Sequence, residues 1–469
     1  MGGQAGGGQR GASPFRFNWS TPILLSPHNP RIVYMGGNHL FKSLDRGDHW
    51  MIVSPDLTTN NPDKNKPSGG LTIENTGAET HCTIITIAES PVTPGLLWVG
   101  TDDGSVQLTR NGGGTWTNVR PAVTGVPANT WVSRVEASHF DEGTCYLTFD
   151  GHRSDDFKPY VFKTTDYGKT WTAIAANLPD GGPVYVIRED PKNKNLLFVG
   201  TQFAVFFSIN GGKSWTNLSL NAPTMAFHDL LIHPRDNDLI AATHSRGLWI
   251  LDDISALEQA NDTVLNGDAF LFPNNRPATR WLRIGRGGYS RGNLYFKGEN
   301  PTTGALIHYY LKDKPAGPVT IEISDVTGVQ KTMYTIDNPK TGINRIVWDF
   351  RFDPAPAMVQ GAINAIKSQL QLLTTRGELN DEQRASVQEA LKQIDAAGTN
   401  YRRAQEIQQG VLAQFGGAGG FGGGGGGGMR GGMGAVIAEP GSYAVKMTVN
   451  GKTLIGKLTV RQDPMLDGN

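Results

Sequence analysis

One octapeptide pattern, Ser/Thr-x-Asp/Asn-x-Gly-x-x-Trp, recurs four times in this chain and constrains its fold more than any other feature. The copies run from Ser43 to Trp50, Thr109 to Trp116, Thr164 to Trp171 and Ser208 to Trp215. The pattern is turn chemistry. Glycine supplies a backbone conformation with positive φ at a tight hairpin. Asp or Asn bonds the backbone of its own turn, the Ser/Thr hydroxyl adds a second local bond, and the Trp ring packs over the turn. Each copy follows a β-rich run: Ile32 to Gly36, Leu97 to Thr101, Cys145 to Thr148 and Leu197 to Thr201. A fifth run, Leu239 to Thr243, leads into Leu248 to Leu251 without an octapeptide. Each repeat thus predicts four short strands with the octapeptide between the third and fourth. Repeats of about 40–60 residues with four strands each match propeller blades better than a sandwich.

Five such blades are expected over residues 14–257, after a flexible Gly/Gln-rich linker at 1–13. Five is few for a closed ring, so further blades are expected upstream in a longer natural chain. The linker has no apolar core of the kind a signal peptide needs. Lys+Arg and Asp+Glu number 43 each, so bulk charge points to neither nucleic acid nor an anionic membrane. No stretch approaches the ~20 apolar residues that span a bilayer. The two cysteines, Cys82 and Cys145, fall in different predicted blades with no metal or haem spacing and read as buried free thiols.

The pattern changes after the blades. Residues 258–286 read as a connector. Alternating strands at Ile307 to Leu311, Val319 to Ile323 and Ile346 to Phe350, then Tyr443 to Met447 and Leu454 to Leu458, predict an immunoglobulin-like β-sandwich split into 287–356 and 435–469. Between its halves, residues 357–415 carry helical periodicity through Ile363, Ile366, Leu370, Leu373, Val387, Leu391 and Ile394. A helical hairpin is expected there, with Asn380 or Asp381 capping its second helix. Residues 416–434 are nearly pure glycine and read as a disordered tether. The fold class is therefore all-β with a small α insertion: a propeller followed by an immunoglobulin-like sandwich.

The octapeptides resemble the Asp-box, or bacterial neuraminidase, repeat. Longer stretches, Glu89-Ser90-Pro91, Gly100-Thr101-Asp102-Asp103-Gly104, Thr243 through Asp253 and Asn300 through Ala305, look like large bacterial sortilin-like or "glycosyl hydrolase" propeller proteins. That resemblance implies an exported protein, extracellular or periplasmic, with a propeller portion and a C-terminal sandwich. It covers most of the chain outside 357–434. It implies little about activity, because the same repeat sits on sialidases, xyloglucanases, receptors and assembly factors.

The octapeptides lie at one end of the predicted sheets, so Asp45, Asn111, Asp166 and Asn210 read as turn residues. Loops at the opposite end gather polar side chains. A carboxylate pair there would perform acid/base chemistry on a glycosidic bond, and Asp102 with Asp155 is the expected catalytic pair. Asp103, Trp131, His152, Arg153, Asp156, His228, His244 and Arg246 are the expected substrate-binding residues. A divalent ion on Asp150, Asp155 and Asp156 lacks a recognised loop spacing, so no metal or cofactor is expected. No nucleophile elbow, phosphate loop, zinc helix or dinucleotide fingerprint occurs. Sialidases set an arginine cluster against the substrate carboxylate; only Arg153 and Arg246 stand here, which speaks against sialidase activity. Two expectations remain: a propeller acting on or binding carbohydrate, of glycoside hydrolase-like kind, and a non-catalytic sortilin-like protein- or peptide-binding propeller or assembly scaffold.

Overall fold

The computed structural model describes residues 15–65, 80–218, 221–274, 276–281, 302–375, 379–414 and 436–464. The linker 1–13, the Gly-rich stretch 416–434, most of the loop 54–80, and Asn300 and Pro301 lie outside them. The chain divides into two compact units, Met1–Glu258 and Gln259–Asn469.

The first unit is a succession of antiparallel sheets with strands in sequence order, as in the blades of a β-propeller. The first sheet comprises Ile23–Leu25, Val33–Gly36, Leu40–Ser43 and Met51–Ile52; the second Ile84–Glu89, Leu97–Thr101, Val106–Thr109 and Thr117–Asn118. The third comprises Trp131–Ala137, Cys145–Asp150, Tyr160–Thr164 and Thr172–Ala173; the fourth Val184–Glu189, Leu197–Thr201, Val205–Ser208 and Thr216–Asn217. The fifth has three strands among the described residues, Phe227–Ile232, Leu239–Thr243 and Leu248–Leu251.

All four octapeptides join a third strand to a fourth, and their bonding is the same each time. In the first, the Ser43 hydroxyl donates to Asp45 (2.8 Å) and accepts from the Gly47 amide (2.8 Å), while Asp45 accepts from the His49 amide (2.9 Å). Two consecutive residues take positive φ: Arg46 and Gly47, Gly112 and Gly113, Tyr167 and Gly168, Gly211 and Gly212. The octapeptides also reach across to the preceding sheet. Trp116 Nε1 donates to the Val53 carbonyl (3.1 Å) and Trp215 Nε1 to that of Ile174 (2.7 Å). A Cβ on Gly113 would stand 2.2 Å from the Val53 oxygen, so glycine is demanded there by the neighbour as well as by φ.

Successive sheets stack face on face. The trailing face of one meets the leading face of the next, and a separate core fills each of four joints: Tyr34 and Leu40 against Ile87 and Val99; Trp98 and Val106 against Val135 and Leu147; Tyr146 and Val161 against Ile187 and Val199; Phe198 and Val205 against Leu230 and Ala241. Polar locks accompany the first and third joints. The Tyr34 hydroxyl donates to Glu89 (3.2 Å) and that of Tyr146 to Glu189 (2.8 Å). Burial and the carboxylate push both phenols up. Glu89, in the Glu-Ser-Pro signature, is thereby an inter-sheet fastener. Cys82 and Cys145 are buried free thiols.

The second unit has two sheets enclosing one core. Ala269–Leu271, Ala305–Leu311 and Gly342–Trp348 form one; Ala278–Arg280, Lys452–Gln462, Gly441–Val449, Val319–Ser324 and Lys331–Ile336 form the other. Ile307, Tyr309 and Trp348 pack against Ile321, Val445 and Met447 between them. Residues 258–286, expected as a connector, instead supply a strand to each sheet: Ala269–Leu271 pairs antiparallel with Tyr309–Leu311, and Ala278–Arg280 pairs parallel with Val460–Gln462. Among its described residues the insertion has three helices rather than a hairpin: Pro356–Thr375, Asp381–Ala396 and Tyr401–Gln414. Asn380 caps the second in a reciprocal box with Gln383. The third is held to the sheet by Arg402, which donates to Thr332 (2.9 Å), Asp349 (3.0 Å) and the Arg351 carbonyl (3.2 Å) and lies over the Tyr334 ring. Among the described residues no helix is long and apolar enough to cross a membrane.

Candidate functional site

Antiparallel pairing places the end of each second strand opposite the octapeptide end of its sheet. One residue just beyond or at the last pair of that strand recurs: Asn38, Asp102, Asp150, Gln202 and His244. Four of them donate a backbone N–H to the chain leading into the first strand, at Arg16, Thr83, Pro183 and Ala226 respectively. The remaining one, Asp150, pairs with Trp131 in the ladder itself. Next to this position the second to fifth sheets each carry a register shift in their first strand, which sets Ile85, Ser133, Tyr185 and His228 as the extra residues. A bulge turns such a side chain away from ordinary alternation. In the fourth and fifth sheets the displaced side chain is an aromatic ring.

These rings assemble across three sheets. The Tyr185 and His228 rings stack at 4.4 Å between centroids and 20° between planes. His244 continues the row at 5.5 Å from His228, and His152 meets Tyr185 edge-on at 6.2 Å. His152 Nδ1 lies 2.6 Å from an Asp150 oxygen, and Arg153 Nη1 donates to the other at 3.0 Å. The Arg153 guanidinium covers the Trp131 ring at 4.1 Å, a cation–π contact. The Tyr185 hydroxyl donates to Gln202. His228 and His244 are exposed, Trp131 and His152 half-buried and Tyr185 buried, so the two exposed histidines present ring surface to solvent and Tyr185 backs them. Burial and the neighbouring His244 hold the His228 imidazole below its ordinary pKa, so it is neutral at pH 7. Burial and the Asp150 charge push the Tyr185 phenol up to about 12. Across the third, fourth and fifth sheets, Arg188 bridges Glu136 and Asp229 at 2.8 Å each, and Arg134 pairs with Asp229 at 3.0 Å. Burial and the like charge of Arg188 pull Arg134 down to about 10.

Asp102 and Asp103 lie elsewhere and do different work. Asp102 is buried and accepts from the Thr83 amide (2.8 Å) and hydroxyl (2.7 Å), with His81 Nδ1 at 3.6 Å. Burial raises its pKa. Asp103, also buried, accepts from Thr101 (2.5 Å) and from the Thr59 amide and hydroxyl (2.7 Å each), tying down the segment after the first sheet. Asp155 is exposed, a left-handed residue closing the short turn His152–Ser154. Asp156 accepts from the Tyr160 hydroxyl (2.6 Å). Arg246 is exposed in the turn after His244. Trp131, His152, Arg153, His228 and His244 therefore come together as a group. Tyr185 and Gln202 belong with them although sequence reasoning passed them over. Superposing the repeats at Thr101-Asp102, Phe149-Asp150, Thr201-Gln202 and Thr243-His244 exposes Gln202; no local signal exposes the bulge at Tyr185.

No protein-family model matches the chain, and no curated protein does. Solved structures do. The GH74 xyloglucanase from Xanthomonas campestris is 21% identical over 49% of this chain and 36% of that chain, with a TM-score of 0.35. The GH74 enzyme from Niastella koreensis is 20% identical over 51% and 36%, with a TM-score of 0.36. YCF48 from Cyanidioschyzon merolae is 22% identical over 37% and 53%, with a TM-score of 0.28. The chain spans 36% of the length of each of these two GH74 enzymes.

Proposed function

We propose that the first unit is a carbohydrate-binding propeller of the Asp-box type, exported to the periplasm or cell exterior, with an immunoglobulin-like second unit. The observation that carries the reading is the solvent-facing pair His228 and His244, backed by the buried Tyr185 ring, with Trp131 beside it. Ring faces take the apolar C–H faces of sugars, while polar groups between them, here Gln202, His152 and Arg153, fix hydroxyls. Burial and the neighbouring His244 keep His228 neutral at pH 7, which suits a neutral glycan.

Binding is favoured over hydrolysis. A general acid must reach the leaving oxygen, and the Asp102 side chain is fully shielded from solvent. Titration against a panel of neutral oligosaccharides, with reducing-sugar release measured in parallel, tests this. Binding that falls at least about tenfold in His228→Ala and Trp131→Ala, without release, supports it. Release that vanishes in Asp155→Ala would replace it with the glycoside hydrolase reading. The sortilin-like alternative rests on the exposed cations Arg153 and Arg246 at the same end of the sheets, which would take a peptide carboxylate. Peptide capture lost in Arg246→Ala, with no glycan binding, would establish that instead.

A further inference from the structure

The joint between the second and third sheets, an internal one with a filled core, carries a cleft of about 400 Å³ at its octapeptide end. That volume falls within the ~300–1,000 Å³ range of small-molecule sites. Leu108, Val119, Pro121 and Ala122 give the cleft an apolar lining, and Arg110, Tyr167 and Lys169 border it. Among the described residues no carboxylate lines it.

Arg110 and Tyr167 come from consecutive octapeptides, and the Arg110 guanidinium lies over the Tyr167 ring at 3.9 Å. A guanidinium held face-on by a ring is oriented without using its N–H groups, so that edge stays open to an acceptor. Among the described residues, the side chains of Arg110 and the exposed Lys169 have no hydrogen-bond or ion-pair partner. Glu142, whose charge reaches Arg110, is engaged elsewhere. It accepts from the Tyr167 hydroxyl and from that of Thr93 (2.7 Å), and it stands outside the cleft lining.

The architecture does not demand this pair. Tyr167 takes a left-handed conformation, φ 60°, which is unfavourable for a bulky residue. Gly112 and Gly211 hold that position in the second and fourth copies. At the joints on either side, the residues equivalent to Arg110 and Tyr167 are Leu44 with Gly112 and Thr165 with Gly211. Strain kept in one repeat, for a ring that carries an unpaired cation, belongs to a site rather than to the turn.

We propose that this cleft binds a small carboxylate with an apolar body. The carboxylate takes the N–H edge of Arg110 as a bidentate pair, Lys169 supplies a second cation, and the apolar body covers Leu108, Val119, Pro121 and Ala122. The site lies at the end of the sheets opposite the histidine pair and is independent of the carbohydrate reading.

Calorimetric titration of the full 469-residue chain with naphthoate and with octanoate, which offer a ring and a chain as the apolar body, tests this. One-to-one binding is expected. Naphthylmethanol, the uncharged counterpart, should bind at least about tenfold more weakly than naphthoate, and Arg110→Gln should weaken naphthoate by a similar factor. Tyr167→Gly restores the residue of the second and fourth copies. It should keep the fold, read by melting temperature, and still weaken binding because Arg110 loses its ring. Arg153→Gln, at the other end of the sheets, should bind as the wild type does. Failure of both acids to bind would overturn the proposal. So would equal affinity for naphthylmethanol, unchanged binding in Arg110→Gln, or loss of binding in Arg153→Gln.

Discussion

Asp102 and Asp150 occupy the same place in successive sheets, at the end of the second strand away from the octapeptide, and both are buried. Their partners differ in kind. Asp102 binds inward, to the backbone and hydroxyl of Thr83, just before its own first strand. Asp150 binds outward, to His152 and Arg153 on the loop that follows it. The first carboxylate holds a strand end. The second orients an imidazole and a guanidinium whose other faces meet Tyr185 and Trp131. Equivalent positions in a repeat protein thus divide between architecture and surface chemistry according to which neighbour supplies the donors.

Substitutions sharpen that division. The largest expected effect is on stability: Asp102→Ala leaves the buried Thr83 N–H and hydroxyl without acceptors, at a cost of about 2–3 kcal/mol, read as a lower denaturant midpoint with glycan binding retained in the folded fraction. Next, Asp150→Ala frees His152 and Arg153. It is expected to weaken binding by about tenfold, roughly 1.4 kcal/mol; unchanged binding would remove the outward role from Asp150.

A pH dependence comes third. His228 has a folded pKa below its unfolded value, so the folded state binds fewer protons between the two. Stability and ring stacking are intact above the ordinary histidine range and decline as pH falls below about 6.5. Binding measured from pH 8 to 5 should fall with acidification, and His228→Phe should flatten that profile while keeping affinity at pH 8. The smallest effect is at Asp155, exposed and without a partner role in the ring row. Asp155→Gly relieves a left-handed non-glycine residue and is expected to shift stability by less than about 1 kcal/mol and to leave binding unchanged.

The repeat architecture was legible because octapeptide chemistry is local: Ser43, Asp45 and Gly47 close their turn within a few residues. The candidate site was legible in part. His152, Arg153 and His244 stand in loops where polar residues announce themselves. Tyr185 does not, since Val184-Tyr185-Val186 reads as ordinary strand core and only the register shift sets the ring against His228. Thr101-Asp102-Asp103-Gly104 reads as an exposed acidic turn, yet Thr83 and Thr59, distant in sequence, draw both carboxylates inward. In the second unit, Ala269–Leu271 and Ala278–Arg280 have three residues each, too few for alternation to register. The third helix offers Tyr401, Ala404 and Val411, with Ile407 partly buried, to its core, a stripe too sparse to stand out.

The contacts that the second, third and fourth octapeptides make with the sheet before them couple those repeats energetically to their predecessors. Such a chain melts as a line of linked units, with cooperativity passed from neighbour to neighbour. The fifth sheet has no octapeptide, so its coupling to the fourth lacks that contact and rests on face packing and on the Arg188 bonds to Asp229 and the Leu230 carbonyl. Amide protons of Leu239–Thr243 should consequently exchange sooner than those of Leu197–Thr201, and a protease admitted by local opening should nick the fifth repeat before the others.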